Sequence, residues 1–243
     1  MKLKNQKIVI TGGTSGIGYS LVQQLQRDNQ VIVVARSDTK LQELSANFDN
    51  LRVYQADLLS QSDVDRVAQQ ITRLDGTVDV LINNATVQYE PTFLDHTFRI
   101  ESIEQEITTN FTSLCRLTCL LLPALLKTTP SVIMNVNSAL ALAPKTSSAV
   151  YCATKGAVNI FSQSLRYQLE ATNVRVQQAF LELVDTRMTR GRGTNKMTAD
   201  EAAAQIIKSI GRNTLDLYVG KVKLLKWLLR IAPSLAANIL KRH

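Results

Sequence analysis

KIVITGGTSGIG, residues 7 to 18, joins a short β-branched apolar run to a turn that carries four glycines. Residues 7 to 11 have the near-continuous apolar character of a strand buried on both faces. Beyond the turn, Ile17, Leu21 and Leu25 recur at helical spacing. A strand that passes through glycines into a helix gathers free backbone amides and the positive end of the helix dipole at one point, which suits a phosphate. Glycine also lets the backbone approach a pyrophosphate closely. A glycine turn that binds nothing is the alternative, but a strand before and a helix after favour a nucleotide.

Working outward, the pattern repeats. Apolar runs lie at VIVVA (31 to 35), LRVYQA (51 to 56), VDVLINN (78 to 84), SVIMNV (131 to 136) and VRVQQAF (174 to 180). Amphipathic segments separate them, such as Val64, Val67, Ala68 and Ile71. This alternation predicts an α/β fold, a single Rossmann-type doubly wound parallel sheet with helices on both faces. Long helices are expected over 101 to 127, stopped by TTP at 128 to 130, and over 149 to 170. With 243 residues, 45% of them apolar, one domain spanning 1 to 243 is expected.

No signal-peptide pattern or membrane-length apolar run is present. Cys115, Cys119 and Cys152 are odd in number and lack metal-type spacing, which points to free thiols in a reducing cytoplasm. Cys115 and Cys119, one turn apart in an apolar stretch, are expected to be buried. His96 and His243 are the only histidines, and no metal site is expected.

The net charge is +8, but it is unevenly spread. Residues 221 to 243 hold Lys221, Lys223, Lys226, Arg230, Lys241 and Arg242 with no acid, and residues 187 to 199 hold Arg187, Arg190, Arg192 and Lys196, again with no acid. The rest is close to neutral, so the basic groove of a nucleic-acid binder is not indicated.

The end of the second strand selects the dinucleotide. An acid there bonds the ribose hydroxyls, whereas an arginine accommodates a 2′-phosphate. Here Ala35 is followed by Arg36, and Asp38 with Ser37 is expected to cap the next helix. NADP(H) is therefore expected over NAD. In YCATK, residues 151 to 155, Tyr151 and Lys155 stand one helical turn apart, a spacing also common on ordinary helix surfaces.

Taken in order, the pieces resemble the classical short-chain dehydrogenases/reductases over roughly residues 5 to 190. TGGTSGIG is similar to that family's glycine motif, Ala56 and Asp57 to its adenine-contacting motif, NNAT at 83 to 86 to its motif after the fourth strand, Asn110 to its helix asparagine, Ser138 to its catalytic serine, and YCATK to its tyrosine and lysine motif. The resemblance implies that Gly12, Gly16 and Gly18 surround the diphosphate, Asp57 meets the adenine, Ala85 lies near the adenine ribose and Thr186 meets the nicotinamide amide. Thr14, Ser15, Ile17, Leu58, Asn84 and Val184 are expected beside the cofactor as well. It further implies a catalytic set of Asn110, Ser138, Tyr151 and Lys155.

In this reading Tyr151 gives or takes the proton of a carbonyl/alcohol pair. Lys155 and the oxidised nicotinamide lower its pKa, and Lys155 also holds the ribose hydroxyls. Ser138 donates to the substrate oxygen. Asn110 kinks its helix and anchors a water on the proton path. The implied function is an NADP(H)-dependent oxidoreductase acting on a small carbonyl or alcohol in a largely apolar pocket, with Val87, Tyr89, Ala139, Leu140, Leu142 and Leu183 around it. An NADP-binding sensor or scaffold with little turnover is the alternative.

Two positions depart from the family's usual pattern. Thr86 stands where glycine follows NNA, and Leu181 and Glu182 stand where Pro-Gly follows the sixth strand. Glu182 could set an anion near the nicotinamide. The basic segment 187 to 199 is read as a lid over the cofactor or as a solvated loop. The long helices resemble the family's paired-helix interface, so a homodimer or homotetramer is expected. Residues 220 to 243 form a basic amphipathic helical segment in which Leu224, Leu225, Leu228, Leu229 and Ala232 share one face and Pro233 starts a second helix. Packing on the protein is expected for it, with peripheral membrane contact the alternative.

Overall fold

Strand β1 (Lys7–Thr11) lies between β2 (Gln30–Ala35) and β4 (Val80–Asn83), and all three run parallel. The computed structural model describes residues 2–128 and 130–241. Thr129 of the expected helix stop, and Arg242 and His243 of the basic tail, lie outside the described residues. The remaining strands are β3 (Leu51–Gln55), β5 (Ser131–Ser138), β6 (Val174–Leu181), the short β7 (Val184–Asp185) and β8 (Met197–Thr198), and β9 (Asp216–Tyr218). The main sheet has the order β3-β2-β1-β4-β5-β6-β9, with β7 and β8 paired apart from it. Strand order reverses between β1 and β4, the place where open parallel sheets hold ligands.

Side-chain alternation divides the core into two layers. Ile8, Ile10, Val31 and Val33 face α1 (Gly16–Leu25) and α7 (Ala199–Arg212), meeting Leu21, Val22, Ile206 and Ile210. Their neighbours Val9, Ile32 and Val34 face the other way, onto Val64, Val67 and Ile71 of α3 (Gln61–Asp75) and Leu117 and Leu121 of α5 (Ser113–Leu125). All these residues are at most 1% exposed, which is why such strands are readable as continuous apolar runs, whereas the edge strand β3 is only half-buried. Ser37 caps α2 (Asp38–Asn47), accepting from the Lys40 amide, as expected.

Four differences from the sequence reading have physical causes. The segment 101 to 127 is not one α-helix: α4 (Glu101–Ile107) passes through a π turn at Thr108–Thr112 into α5, with Asn110 buried in the turn. Strand β9 was not anticipated, because three residues carry no periodicity; it is secured on β6 by Phe180 stacking on Tyr218 at 5.0 Å. Cys115 is half-buried and Cys119 exposed, since Leu114, Leu117, Thr118 and Leu121 occupy the inward line of α5. Helix α6 (Ala149–Gln168) ends two residues early.

The tail forms α8 (Val222–Ile231) and α9, which Pro233 starts (Pro233–Lys241). Leu225, Leu228, Leu229 and Ala232 are half-buried, but Leu224, placed with them by spacing, is exposed. Among the described residues no helix is long and apolar enough to cross a membrane.

Candidate active site

The turn after β1 is shaped by missing side chains. Gly12 and Gly16 have φ of +71° and +52°, a left-handed region that disfavours other residues. A Cβ on Gly18 would stand 2.1 Å from the Gly12 carbonyl oxygen, and one on Gly12 would stand 3.0 Å from Ala85 Cα. Ser15 adopts an extended conformation and makes no side-chain cap on α1, so the first-turn amides point outward from an uncapped helix end. Thr14 and Ile17 are half-buried beside it. Asn84 donates to the carbonyls of Thr11 (3.0 Å) and Gly12 (3.3 Å), and Thr11 Oγ1 accepts from the Asn84 and Ala85 amides, both at 3.0 Å. The Asn84 side chain therefore locks the end of β4 to the turn.

The other predicted cofactor positions surround this turn. Arg36 is exposed at the end of β2 and pairs with no carboxylate among the described residues. Asp57 Oδ1 accepts from the Leu59 amide at 3.0 Å, and the Leu58 carbonyl accepts from the Ser113 hydroxyl. Val184 is buried, and Thr186 Cγ2 lies 3.0 Å from where a Gly16 Cβ would stand, so the loop after β6 closes on the glycine turn.

Ser138 ends β5 and Tyr151 and Lys155 lie on α6, and the structure brings the three together. Tyr151 and Lys155 are 7% and 4% exposed. Lys155 Nζ donates to the Val136 carbonyl at 3.1 Å and stands 5.6 Å from the Tyr151 ring centroid. Burial pushes the Tyr151 phenol up to about 12, opposed by hydrogen bonding with Ser138 and the positive charge of Arg192. Burial pushes Lys155 down to about 8. Desolvation is thus the largest influence on the phenol.

Asn110 is 1% exposed and its side chain is fully engaged. Oδ1 accepts from the Val87 amide (2.8 Å) and the Thr86 hydroxyl (2.9 Å), and Nδ2 donates to the Val87 carbonyl (2.9 Å) and Thr154 Oγ1 (3.3 Å). It fastens the π turn to the loop after β4 and to α6.

A family model described as short chain dehydrogenase matches residues 6–197. The chain belongs to the short-chain dehydrogenase family. An oxidoreductase DltE of Bacillus subtilis, itself uncharacterized, is 35% identical over 78% of this chain and 76% of its own length. A very-long-chain 3-oxoacyl-CoA reductase of Rattus norvegicus is 32% identical over 85% of this chain and 69% of its own. Among solved structures, a short-chain dehydrogenase from Sphingobium yanoikuyae in complex with NADPH superposes with a TM-score of 0.83 at 26% identity, covering 96% of each chain. One from Burkholderia cenocepacia in complex with NADP reaches 0.89 at 22% identity over 99% of each chain. As a member of this family the protein is an oxidoreductase.

Within this short-chain dehydrogenase, both departures from the usual family pattern have partners. Thr86 supplies the hydroxyl that Asn110 accepts. Glu182 turns toward the tail: its Oε2 accepts from the Lys221 amide at 3.1 Å, and its carboxylate fills the space a side chain on Gly220 would need. The segment 187 to 199 is no free loop. Arg192 Nη1 donates to Gln88 (2.9 Å) and pairs with Glu90 (3.0 Å), and Lys196 pairs with Asp185 at 2.7 Å.

Sequence reasoning missed two positioning residues. Asn137 Oδ1 accepts from the Ser138 amide (2.9 Å), while its Nδ2 donates to the Lys155 carbonyl (3.3 Å) and to Gln178 (3.1 Å). It therefore ties Ser138 and Lys155 to the same sheet. Glu106, 2% exposed, accepts from the Tyr89 amide at 2.7 Å. Burial raises its pKa while the backbone amides of Tyr89 and Tyr151 lower it. The run of polar residues inside an apolar strand was a usable signal for Asn137; Glu106 had none, because helices carry glutamates everywhere.

Proposed function

We propose that the protein is an NADP(H)-dependent oxidoreductase that interconverts a carbonyl and an alcohol on an apolar small molecule, with Tyr151 as the acid and base. The observation that carries this reading is the group of half-buried Ser138 with buried Tyr151 and Lys155, at the same end of the parallel sheet as the glycine turn. The residues present fit the cofactor. Gly12, Gly16 and Gly18 let the backbone turn tightly against its neighbours at an uncapped helix end whose amides suit a pyrophosphate, and the unpaired Arg36 suits a 2′-phosphate.

The bound dinucleotide supplies the hydride for carbonyl reduction. With its pKa near 12, Tyr151 keeps its proton at neutral pH and gives it from the phenol oxygen to the substrate oxygen. Ser138 donates to the same oxygen and stabilises the charge that develops there. Lys155, still cationic at pH 7, favours the resulting phenolate and orients the ribose. Asn110 acts by holding α6 against the loop after β4.

Val87, Ala139, Leu140 and Leu142 are half-buried around the catalytic strand end, which favours an apolar substrate. The likeness to a very-long-chain 3-oxoacyl-CoA reductase points the same way. Ile160 and Tyr167 on α6 and Ile107 and Leu120 on the preceding helices are exposed, which supports pairing into a homodimer or homotetramer. The cysteine usage suits the cytoplasm.

NADPH oxidation measured against a panel of ketones and aldehydes tests the reading. Turnover is expected with apolar ketones, and Tyr151→Phe lowers kcat/KM by about 10² to 10⁴. NADPH binding without turnover on any substrate, together with an unaffected Tyr151→Phe protein, would overturn it in favour of a sensor.

A further inference from the structure

Packing does not use up the apolar side chains of the tail. Val222 and Ala236 are buried, yet Leu224, Trp227, Ile231, Leu235 and Ile239 are 64%, 59%, 59%, 53% and 45% exposed. Leu224, Trp227 and Ile231 follow at steps of three and four residues along α8, and Leu235 and Ile239 at a step of four along α9, the spacing that keeps side chains on one face of each helix. Lys223, Lys226 and Arg230 are interleaved with them, and residues 217 to 241 contain no Asp or Glu. Isolated exposed apolar residues need no explanation, but such faces on two consecutive helices do.

A row of apolar side chains bordered only by cations matches an anionic lipid surface. The apolar groups enter the boundary of the acyl chains while the cations stay among the headgroups. Tryptophan is favoured at that depth. A second copy of the chain fits less well, because symmetric pairing sets a patch against itself. Each cation would then meet a surface that offers no acid. The helices are ten and nine residues long, roughly 15 Å each, so they lie along a bilayer and do not cross it.

We propose that α8 and α9 dock the protein on the surface of an anionic bilayer. The docked helices are fastened to both sides of the catalytic region. At one end Glu182, just beyond β6, accepts from the Lys221 amide; Leu181 before it is the register partner of Ser138. At the other end Thr146 Oγ1 donates to the Lys241 carbonyl at 2.5 Å, in the loop that leads into the helix of Tyr151. Docking therefore brings this region close to the lipid, from which an apolar carbonyl compound reaches it. That last step rests on the proposed reductase activity, whereas the docking itself does not.

Trp227 is the only tryptophan, so its fluorescence reports on this face alone. Full-length protein is mixed with phosphatidylcholine vesicles with and without phosphatidylserine. With phosphatidylserine, the Trp227 emission shifts to the blue, the protein sediments with the vesicles, and added salt reverses both. Lys223→Gln with Arg230→Gln lowers partitioning roughly tenfold or more. Leu224→Ser with Ile231→Ser and Leu235→Ser lowers it at least as much, and an unchanged NADPH affinity shows that both variants fold. An unmoved emission with all protein in the supernatant overturns the proposal, as do variants that bind like the unmodified chain. Conversion of a dimer to a monomer by the serine variant, without vesicle binding, overturns it too and assigns the face to a second copy.

Discussion

The turn after β1 and the turn after β6 leave the same edge of one parallel sheet, yet the first is shaped by absent side chains and the second by present ones. After β1, backbone meets backbone: a Cβ on Gly18 would fall 2.1 Å from the Gly12 oxygen. After β6, Leu181 is buried and Glu182 reaches the Lys221 amide, thirty-nine residues further on. The first turn thus carries its own shape, whereas the second takes its shape from the tail. If so, substitutions at the first should act on cofactor binding, and substitutions at the second on stability.

The largest expected effect is at Gly18. Its neighbour is backbone and cannot swing aside, so Gly18→Ala overpacks the turn at about 1–3 kcal/mol or more. The NADPH dissociation constant should rise by about a hundredfold, with that for NADH rising in step. Gly156→Ala is the control, because a Cβ there meets nothing within 4 Å and alanine favours a helix. Equal NADPH affinities for the two variants would break the comparison.

Next is Arg36, expected to serve the proposed cofactor site by charge. A charged hydrogen bond to phosphate is worth about 1.5–3 kcal/mol, roughly ten- to a hundredfold in affinity. Arg36→Ala should lose that much for NADPH and nothing for NADH. A uniform loss would mean that the arginine does not recognise the 2′-phosphate.

The pair between the two turns is sharpened by pH. Lys155 is pushed down to about 8 and Tyr151 up to about 12. Between these values the phenol keeps its proton while the ammonium loses its own. The kcat/KM for NADPH, which reports on free enzyme, should stay level as pH rises toward 8 and then fall about tenfold per unit. A fall that begins only near pH 10 would show that Lys155 is not desolvated as the fold implies. A fall that begins already near neutrality, below the lysine's value, would show that the phenol, not the lysine, is the group shifted downward.

What could be read in advance follows the same division. Strands buried on both faces announce themselves as apolar runs, and the glycine turn is legible because only glycine fits. Ser138, Tyr151 and Lys155 could be placed by spacing and resemblance. A kink at Asn110 was implied by the resemblance, but its π form was not legible, since its bonds to Val87 and Thr154 join residues 23 and 44 positions apart in sequence. Asn137 stood out as a polar residue inside an apolar strand, but its partners did not, because only the fold sets it beside both Gln178 and the Lys155 carbonyl. The burial of Tyr151 and Lys155 was not legible either: spacing places the two on one helix face but carries no account of how much water burial removes.

The smallest expected effect tests the second turn directly. Glu182 sets a carboxylate at the N-terminal end of α8, where a negative charge complements the helix dipole by about 0.3–1 kcal/mol. Glu182→Gln keeps an acceptor for the Lys221 amide but removes that charge. For a chain of this size the thermal midpoint should drop by about 1–4 °C. The NADPH dissociation constant should stay within about twofold, a difference of no more than roughly 0.4 kcal/mol, because the carboxylate points to Gly220 and away from the glycine turn. A tenfold change in NADPH affinity with an unmoved midpoint would reverse the assignment. It would place the anion of Glu182 beside the nicotinamide, and the turn after β6 would then be part of the cofactor site in the same sense as the turn after β1.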